Sequence, residues 1–503
     1  MSTKALLEIR TLGQLKAAGY KVLPVKDEVR KNLVTKLRSR EKIFPGIIGY
    51  DETVIPELCN AILSRHDFIL LGLRGQAKSR ILRALPDLLD AHVPILKGSE
   101  INDNPFAPVS KYAVELVNEC GEAAEIEWIG RDRRFGEKLA TPDVTIADLI
   151  GDIDPIKAAA QRLHYAHEGI IHFGIIPRTN RGIFAINELP DLQPRIQVGL
   201  FNVMQEKDIQ IRGFPIRIPL DVMIVYTANP EDYTNRGNII TPLKDRIGSQ
   251  IHTHYPRTVE IGMQITAQEA WVRRDGLPVK IAYFLRQAIE QVAVEARRSE
   301  FVDQKSGVSA RLTISFLENL VSNAERRSYL TGDQELVPRV CDLYAALSAV
   351  SGKIELVYEG EQEGAANVSK GLMGKALKQV FLGYFPDPYA AMKKGGREYQ
   401  KVVAWFKKDR KLDISDTLAN QEYVKTLNSV EGLKELTLQY LPGAREMSPD
   451  QLAVGMEFVL EGLHQNSMLS RDETGPLRTY SDMLNRMFSN LKREPDEDDE
   501  EES

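Results

Sequence analysis

Phe68-Ile-Leu-Leu-Gly72-Leu73-Arg74-Gly75-Gln76-Ala77-Lys78-Ser79-Arg80 is the stretch whose reading decides the fold. Its apolar opening reads as a buried strand, its glycines as a tight loop, and Lys78-Ser79 as the start of a helix. In such a loop the backbone N–H groups converge on phosphate oxygens. A lysine there neutralises the outer phosphates of ATP, and a hydroxyl such as that of Ser79 ligates Mg²⁺. Gly72 through Arg80 are therefore candidate nucleotide-binding residues, with Ser79 also a metal candidate. Ala77 stands where the GxxxxGK[ST] pattern has its last glycine. Alanine is the smallest substitute, so the backbone still reaches phosphate if Ala77 has negative φ. Taken alone, the segment also fits an ordinary strand–turn–helix with a surface lysine.

Working outward, VIPELCNAILSR before the loop reads as a helix. GIFAINEL and DVMIVYTAN after it read as short buried strands that end in polar residues. Helices alternating with buried strands predict an α/β fold with a parallel sheet. Ligands of such sheets bind at the carboxyl ends of the strands, which is where Asn187, Glu188 and Asn229 fall. Glu188 is placed to polarise an attacking water. Asp245-Arg246 offers either a guanidinium for a neighbouring subunit's γ-phosphate or a surface salt bridge. Arg311, in GVSARLT, opens a predicted helix.

The chain has 503 residues, 43% of them hydrophobic, and a net charge of −6; that length suggests about three domains. EPDEDDEEES, at 494–503, carries eight acids and no base, the composition of a solvated tail. Cys59, Cys120 and Cys341 form no CxxC pair, which argues against a disulfide framework or a cysteine zinc site. No signal core and no run of roughly 18–20 apolar residues is present, so a cytoplasmic protein is expected. Without a basic face, nucleic acid is an unlikely partner. His164 and His167 lack an acidic co-ligand and read as exposed side chains rather than a metal site.

The loop, the strand ends and their order resemble an AAA+ ATPase of the magnesium chelatase subunit I and MoxR-like group, whose loops run GxxGxAK[ST]. The resemblance covers roughly residues 40–330. It implies a P-loop NTPase sheet with a helical lid, binding ATP and Mg²⁺. Asn187 would take the place of the metal-associated aspartate of the Walker B strand, an exchange that removes a negative charge. Asn229 would be the sensor I residue, Arg246 the arginine finger and Arg311 the sensor II arginine. The segment TPDVTIADLIGDID with GIIHFGIIP resembles the family's helix-2 insert, and Asn180-Arg181-Gly182 its lead-in to Walker B. Ile209/Ile211 and Ile216/Ile218 around Gly213-Phe214-Pro215 resemble the pre-sensor I hairpin. By the same resemblance, a homo-oligomeric, hexameric ring and a protein partner with a von Willebrand A domain are expected.

The expected organisation is a helical element at 1–40, the nucleotide-binding domain at 41–255 and a helical lid at 256–330. A mainly helical domain at 331–490 and an acidic tail at 491–503 complete it. Strands are expected to stop near Pro256, and EGEQEGAAN to be a loop. Two other functions share these features: a nucleotide-binding switch or scaffold with little turnover, and an enhancer-binding transcription activator. The second lacks the GAFTGA loop.

Overall fold

Four consecutive apolar residues have no polar face to offer water, so Phe68–Leu71 belongs inside a sheet covered on both sides. In the computed structural model that strand, β1, is the first of five parallel strands. The others are β2 (Phe135–Leu139), β3 (Gly182–Asn187), β4 (Val222–Ala228) and β5 (Ser249–His252), arranged in the order β5-β1-β4-β3-β2. The structure describes residues 3–154, 170–211, 217–230, 238–393, 397–407, 410–475 and 477–483. They fall into two units, Met1–His254 and Tyr255–Ser503.

Successive side chains of a strand point to opposite faces, and the two cores of the first unit divide accordingly. Ile69, Leu71, Phe184, Ile186, Ile224 and Tyr226 enter one core. Phe68, Leu70, Ile183, Ala185, Met223 and Val225 enter the other. Three helices close that second face: α1 (Val25–Ser39) through Val29 and Leu33, α2 (Val54–Leu63) through Leu58 and Ile62, and α3 (Lys78–Ala84) through Ile81 and Leu82. Residues 25–39, from the segment read as an N-terminal element, thus contribute to the core of the first unit.

Two short antiparallel strand pairs cover the first face. Gly151–Ile153 pairs antiparallel with Ile171–Phe173, and Asp208–Gln210 with Arg217–Pro219, Ile209 lying opposite Ile218. Both pairs fall in the segments read as inserts. Gly213, Phe214, Pro215 and Ile216 lie outside the described residues, as do His164, His167 and the acidic tail.

The lead-in to β3 is held by polar groups. Asn180 donates to Ile101 O at 2.9 Å and accepts from Asp221 N at 2.8 Å. Arg181 has φ of 60°, and a Cβ on Gly182 would run into Arg134 O. Burial, with the nearby Arg134 charge, pushes the Arg181 guanidinium down to about 10. Arg134 itself is 1% exposed; it makes two hydrogen bonds to Glu28, at 2.8 and 2.7 Å, and donates to Arg181 O.

The second unit differs from its sequence reading in three respects. Helices Tyr283–Ala296 and Arg311–Thr331, from the expected lid, share one core with Ala365–Tyr384 and Pro449–Gln465, from the expected C-terminal domain. Strands do not stop at Pro256: Leu412–Ser415, Leu477–Ser481 and Ser470–Thr474 form an antiparallel sheet. Their polar sequences, such as SRDET, carry little of the apolar signal that marks a strand. EGEQEGAAN is not a loop, because Tyr358–Glu363 and Ala365–Tyr384 are helices separated only by Gly364 at φ 86°.

Glu28→Ala should destabilise the chain by about 3–5 kcal/mol, because it leaves the Arg134 guanidinium buried without its counter-charge. Urea unfolding followed by circular dichroism measures this, and a loss below about 1 kcal/mol would show that Arg134 finds other compensation.

Candidate functional site

The loop after β1 is clamped from both sides. Gly72 has no room for a side chain, since a Cβ there would strike Thr253 Oγ1 and Gln76 Oε1. Those two atoms are hydrogen-bonded to each other at 2.8 Å, and Thr253 Oγ1 also donates to Leu71 O. Tyr50 Oη lies 2.9 Å from Gln76 O and 2.8 Å from His254 O. The His254 ring stands edge-on to Tyr50 and meets Thr53 Oγ1 at 2.8 Å. A buried glutamine, a threonine and a tyrosine therefore set the path of residues 72–76.

The turn ends with two left-handed residues, Gly75 at φ 73° and Ala77 at φ 57°. Ala77 does not meet the condition of a negative φ. The alanine takes the conformation a glycine would take, at a steric cost of about 1–2 kcal/mol. The loop path is thus preserved by strain rather than by relaxing the backbone. Lys78 begins α3 and is 7% exposed; its Nζ donates to Gly72 O and, at 3.0 Å, to Leu73 O. The ammonium is folded over the mouth of the loop. Arg74, within the loop, and Arg80, in the first turn of α3, are exposed.

β3 and β4 deliver the remaining polar groups. Asn187 closes β3 and is 6% exposed; its Oδ1 lies 3.2 Å from Ser79 Oγ and 3.3 Å from Thr227 Oγ1. Its Nδ2 donates to Glu137 Oε1 at 2.5 Å. Glu188 follows with φ 54°, its N–H donating to Thr227 Oγ1 at 3.0 Å. A non-glycine residue held in this region is strained, and such strain collects at functional sites. Asn229, just past β4, is 7% exposed. Ser79 thus meets Asn187, and Thr227, a residue the sequence reading passed over, links Asn187 to the Glu188 backbone.

Arg246 closes the helix Thr241–Arg246, and the salt bridge with Asp245 is not what holds it. Its Nε and Nη2 donate to Gln205 Oε1 at 3.1 and 2.7 Å, and Nη1 donates to Pro242 O. The guanidinium lies over the Phe201 ring, 4.8 Å from its centre. Arg311 belongs to the second unit, where it is the exposed first residue of its helix and its N–H is 3.1 Å from Ser309 Oγ.

The residues expected to hold a metal suit Mg²⁺. Ser79 and Asn187 present hard oxygen donors side by side, with the Glu137 carboxylate in contact with Asn187, and Mg²⁺ takes oxygen ligands. Sequence reading missed Glu137, Thr227, Tyr50 and Thr253. The one available signal was Asn187 itself, whose missing charge implies that an acid stands nearby.

Together, a five-stranded parallel sheet, a glycine loop ending in Lys78-Ser79 and polar strand ends define a P-loop NTPase fold of the AAA+ type. No family model matches the chain. In sequence it is similar to curated magnesium-chelatase ChlI subunits. It is 27% identical over 244 residues to that of Nostoc sp., and 26% identical over 281 residues to that of Synechocystis sp.. These matches take in 47% and 53% of this chain. It spans 61% of the Nostoc subunit's length and 71% of the Synechocystis subunit's. The resemblance to the magnesium chelatase subunit I group is therefore upheld. A chain in a cryo-EM reconstruction of the complex between subunits BchI and BchD of magnesium chelatase overlaps more remotely. Its identity is 18% and its TM-score 0.33, covering 63% of this chain and 98% of that one.

Ala77→Gly should raise the unfolding free energy by up to about 1 kcal/mol, the relieved left-handed strain being partly offset by glycine's larger unfolded-state entropy. Ala77→Val should lower it, because a β-branched side chain tolerates positive φ poorly. If chemical denaturation shows glycine destabilising and valine neutral, the strain assigned to this loop is absent.

Proposed function

We propose that this chain is a Mg²⁺-dependent ATPase that works as a subunit of an AAA+ ring, hexameric in the simplest case, to remodel or activate a protein partner. The observation that carries this reading is the contact of Ser79 with Asn187 at 3.2 Å beside the clamped Lys78 loop. That contact brings a phosphate cradle, a metal-facing hydroxyl and a polar strand end to one point. The similarity to magnesium-chelatase ChlI subunits supports it.

In this reading the backbone N–H groups of residues 72–80 hold the phosphates, and Lys78 leaves the carbonyls of Gly72 and Leu73 to neutralise the outer two. Mg²⁺, held by Ser79 and the Asn187 position, supplies charge neutralisation across the phosphates when bound. Glu188 orients and polarises the attacking water, and Asn229 senses the γ-phosphate end. Arg246 reaches the nucleotide of a neighbouring subunit, pre-oriented by Gln205 and Phe201, and Arg311 acts from the second unit. The strand pairs Gly151–Ile153 with Ile171–Phe173 and Asp208–Gln210 with Arg217–Pro219 mark the side that engages the partner, for which a von Willebrand A-domain protein is the first choice. Among the described residues no helix is long and apolar enough to cross a membrane.

A nucleotide switch with little turnover is the rival, favoured by the neutral Asn187. Lys78→Ala should abolish ATP binding in a filter or calorimetric assay, since one ammonium facing two phosphates goes unreplaced. Glu188→Gln should retain ATP while phosphate release falls by roughly 100-fold or more. Absence of phosphate release from the wild type with its partner present would leave only the switch.

Arg246→Ala should leave ATP binding within about twofold and lower hydrolysis by roughly 10³-fold, the scale on which arginine fingers act. Mixing it with Glu188→Gln subunits, so that each supplies what the other lacks, should restore part of the rate. Normal hydrolysis by Arg246→Ala alone would place the finger elsewhere or dispense with the ring.

A further inference from the structure

Asn187 carries no charge, yet the group against it does. Glu137 lies on β2, the strand next to β3, in the register that sets Glu137 opposite Ala185 and Leu139 opposite Asn187. Residues two apart share a face of a strand, so Glu137, Ala185 and Asn187 belong to the same side of the sheet, and the small Ala185 leaves space for the longer acid. Glu137 Oε1 accepts from Asn187 Nδ2 at 2.5 Å, while Asn187 Oδ1 faces Ser79 Oγ. The amide thus stands between the hydroxyl and the carboxylate.

The α3 side of this arrangement is matched to it. Ser79 and Arg83 are four residues apart and lie on one face of the helix. Ser79 meets Asn187, and Arg83 meets Glu137 through Nε at 2.8 Å and Nη2 at 2.9 Å. Glu137 is largely covered, whereas the Arg83 side chain is 64% exposed. The exposed arginine can leave the pair at little cost, since surface ion pairs contribute only about 0–1 kcal/mol. An aspartate at 187 would press a second carboxylate against Glu137, and two such groups in contact do not both ionise readily. Asparagine at 187 and glutamate at 137 therefore form one unit holding one negative charge.

We propose that Glu137 supplies the negative charge of the Mg²⁺ site that Asn187 does not carry, so that the charge is moved one strand across the sheet. The inference rests on the reading of this site as one for ATP and Mg²⁺. Arg83 holds the carboxylate ready and gives it up to the metal, so it positions Glu137 rather than sharing in the binding.

Titrating Mg²⁺ into the full-length chain with ATP, with calorimetry in EDTA as the metal-free reference, tests this without reference to turnover. Glu137→Gln should raise the Mg²⁺ concentration for half-maximal enhancement of ATP binding by roughly 10–100-fold, the range for residues that support a metal. Its ATP affinity in EDTA should not fall below that of the wild type, since a carboxylate that repels the phosphates has been removed. Adding Asn187→Asp to Glu137→Gln should restore the Mg²⁺ dependence, because the charge returns to the end of β3. Arg83→Ala should bind Mg²⁺ as well as the wild type or better. The inference is overturned if Glu137→Gln keeps the wild-type Mg²⁺ dependence, or if Arg83→Ala loses as much as Glu137→Gln, which would mark the pair as structural. A wild type that binds no ATP under either condition overturns the ATPase reading itself, and with it this one.

Discussion

The structure of the candidate site depends on where the chain leaves β1. Parallel pairing on both edges fixes Phe68–Leu71, and the contact between Thr253 and Gln76 forces residue 72 to be glycine. From there the loop has one course, with Tyr50 holding Gln76 O on the outside and two left-handed residues turning it into α3. This clamp leads the chain into Lys78 and Ser79, whose side chains then meet the Gly72 and Leu73 carbonyls and Asn187. Because the sheet is parallel, β3 and β4 end on the same edge, and Asn187, Thr227 and Asn229 arrive beside the loop as a consequence of topology.

Buried charge keeps the edge in register. The Arg134–Glu28 pair ties the start of β2 to α1, and Asn180, Arg181 and Gly182 carry the chain into β3 through backbone contacts that few other residues could make. That explains the Asn-Arg-Gly sequence structurally, as a turn with a left-handed residue followed by a site with no space for a Cβ. Residues 25–39 then belong to the first unit because α1 supplies both the glutamate and part of the core that β1 rests on.

Much of this was legible in the sequence, for identifiable reasons. β1, β3 and β4 are buried on both faces, so their sequences are continuous apolar runs, and the loop and strand ends follow from them. The conformation of Ala77 was not legible, since residue size bounds the allowed φ without choosing its sign, and the Thr253–Gln76 clamp comes from a strand some 180 positions away. Glu137 was hidden for a related reason: FGEKL on an edge strand has no motif, and its significance depends on lying one strand from Asn187. The sheet of the second unit was missed because its strands are short and largely polar in sequence, as in SRDET and LRTYS.

The central claim is that the loop from Gly72 to Ser79 clasps a nucleoside triphosphate. A crystal structure of the wild-type chain grown with a non-hydrolysable ATP analogue and Mg²⁺ tests it most directly. The account predicts phosphates lying along the N–H groups of residues 75–79, with the Lys78 ammonium turned from the loop carbonyls towards them. Nucleotide bound elsewhere, or a loop closed over Lys78 at saturating analogue, would contradict it.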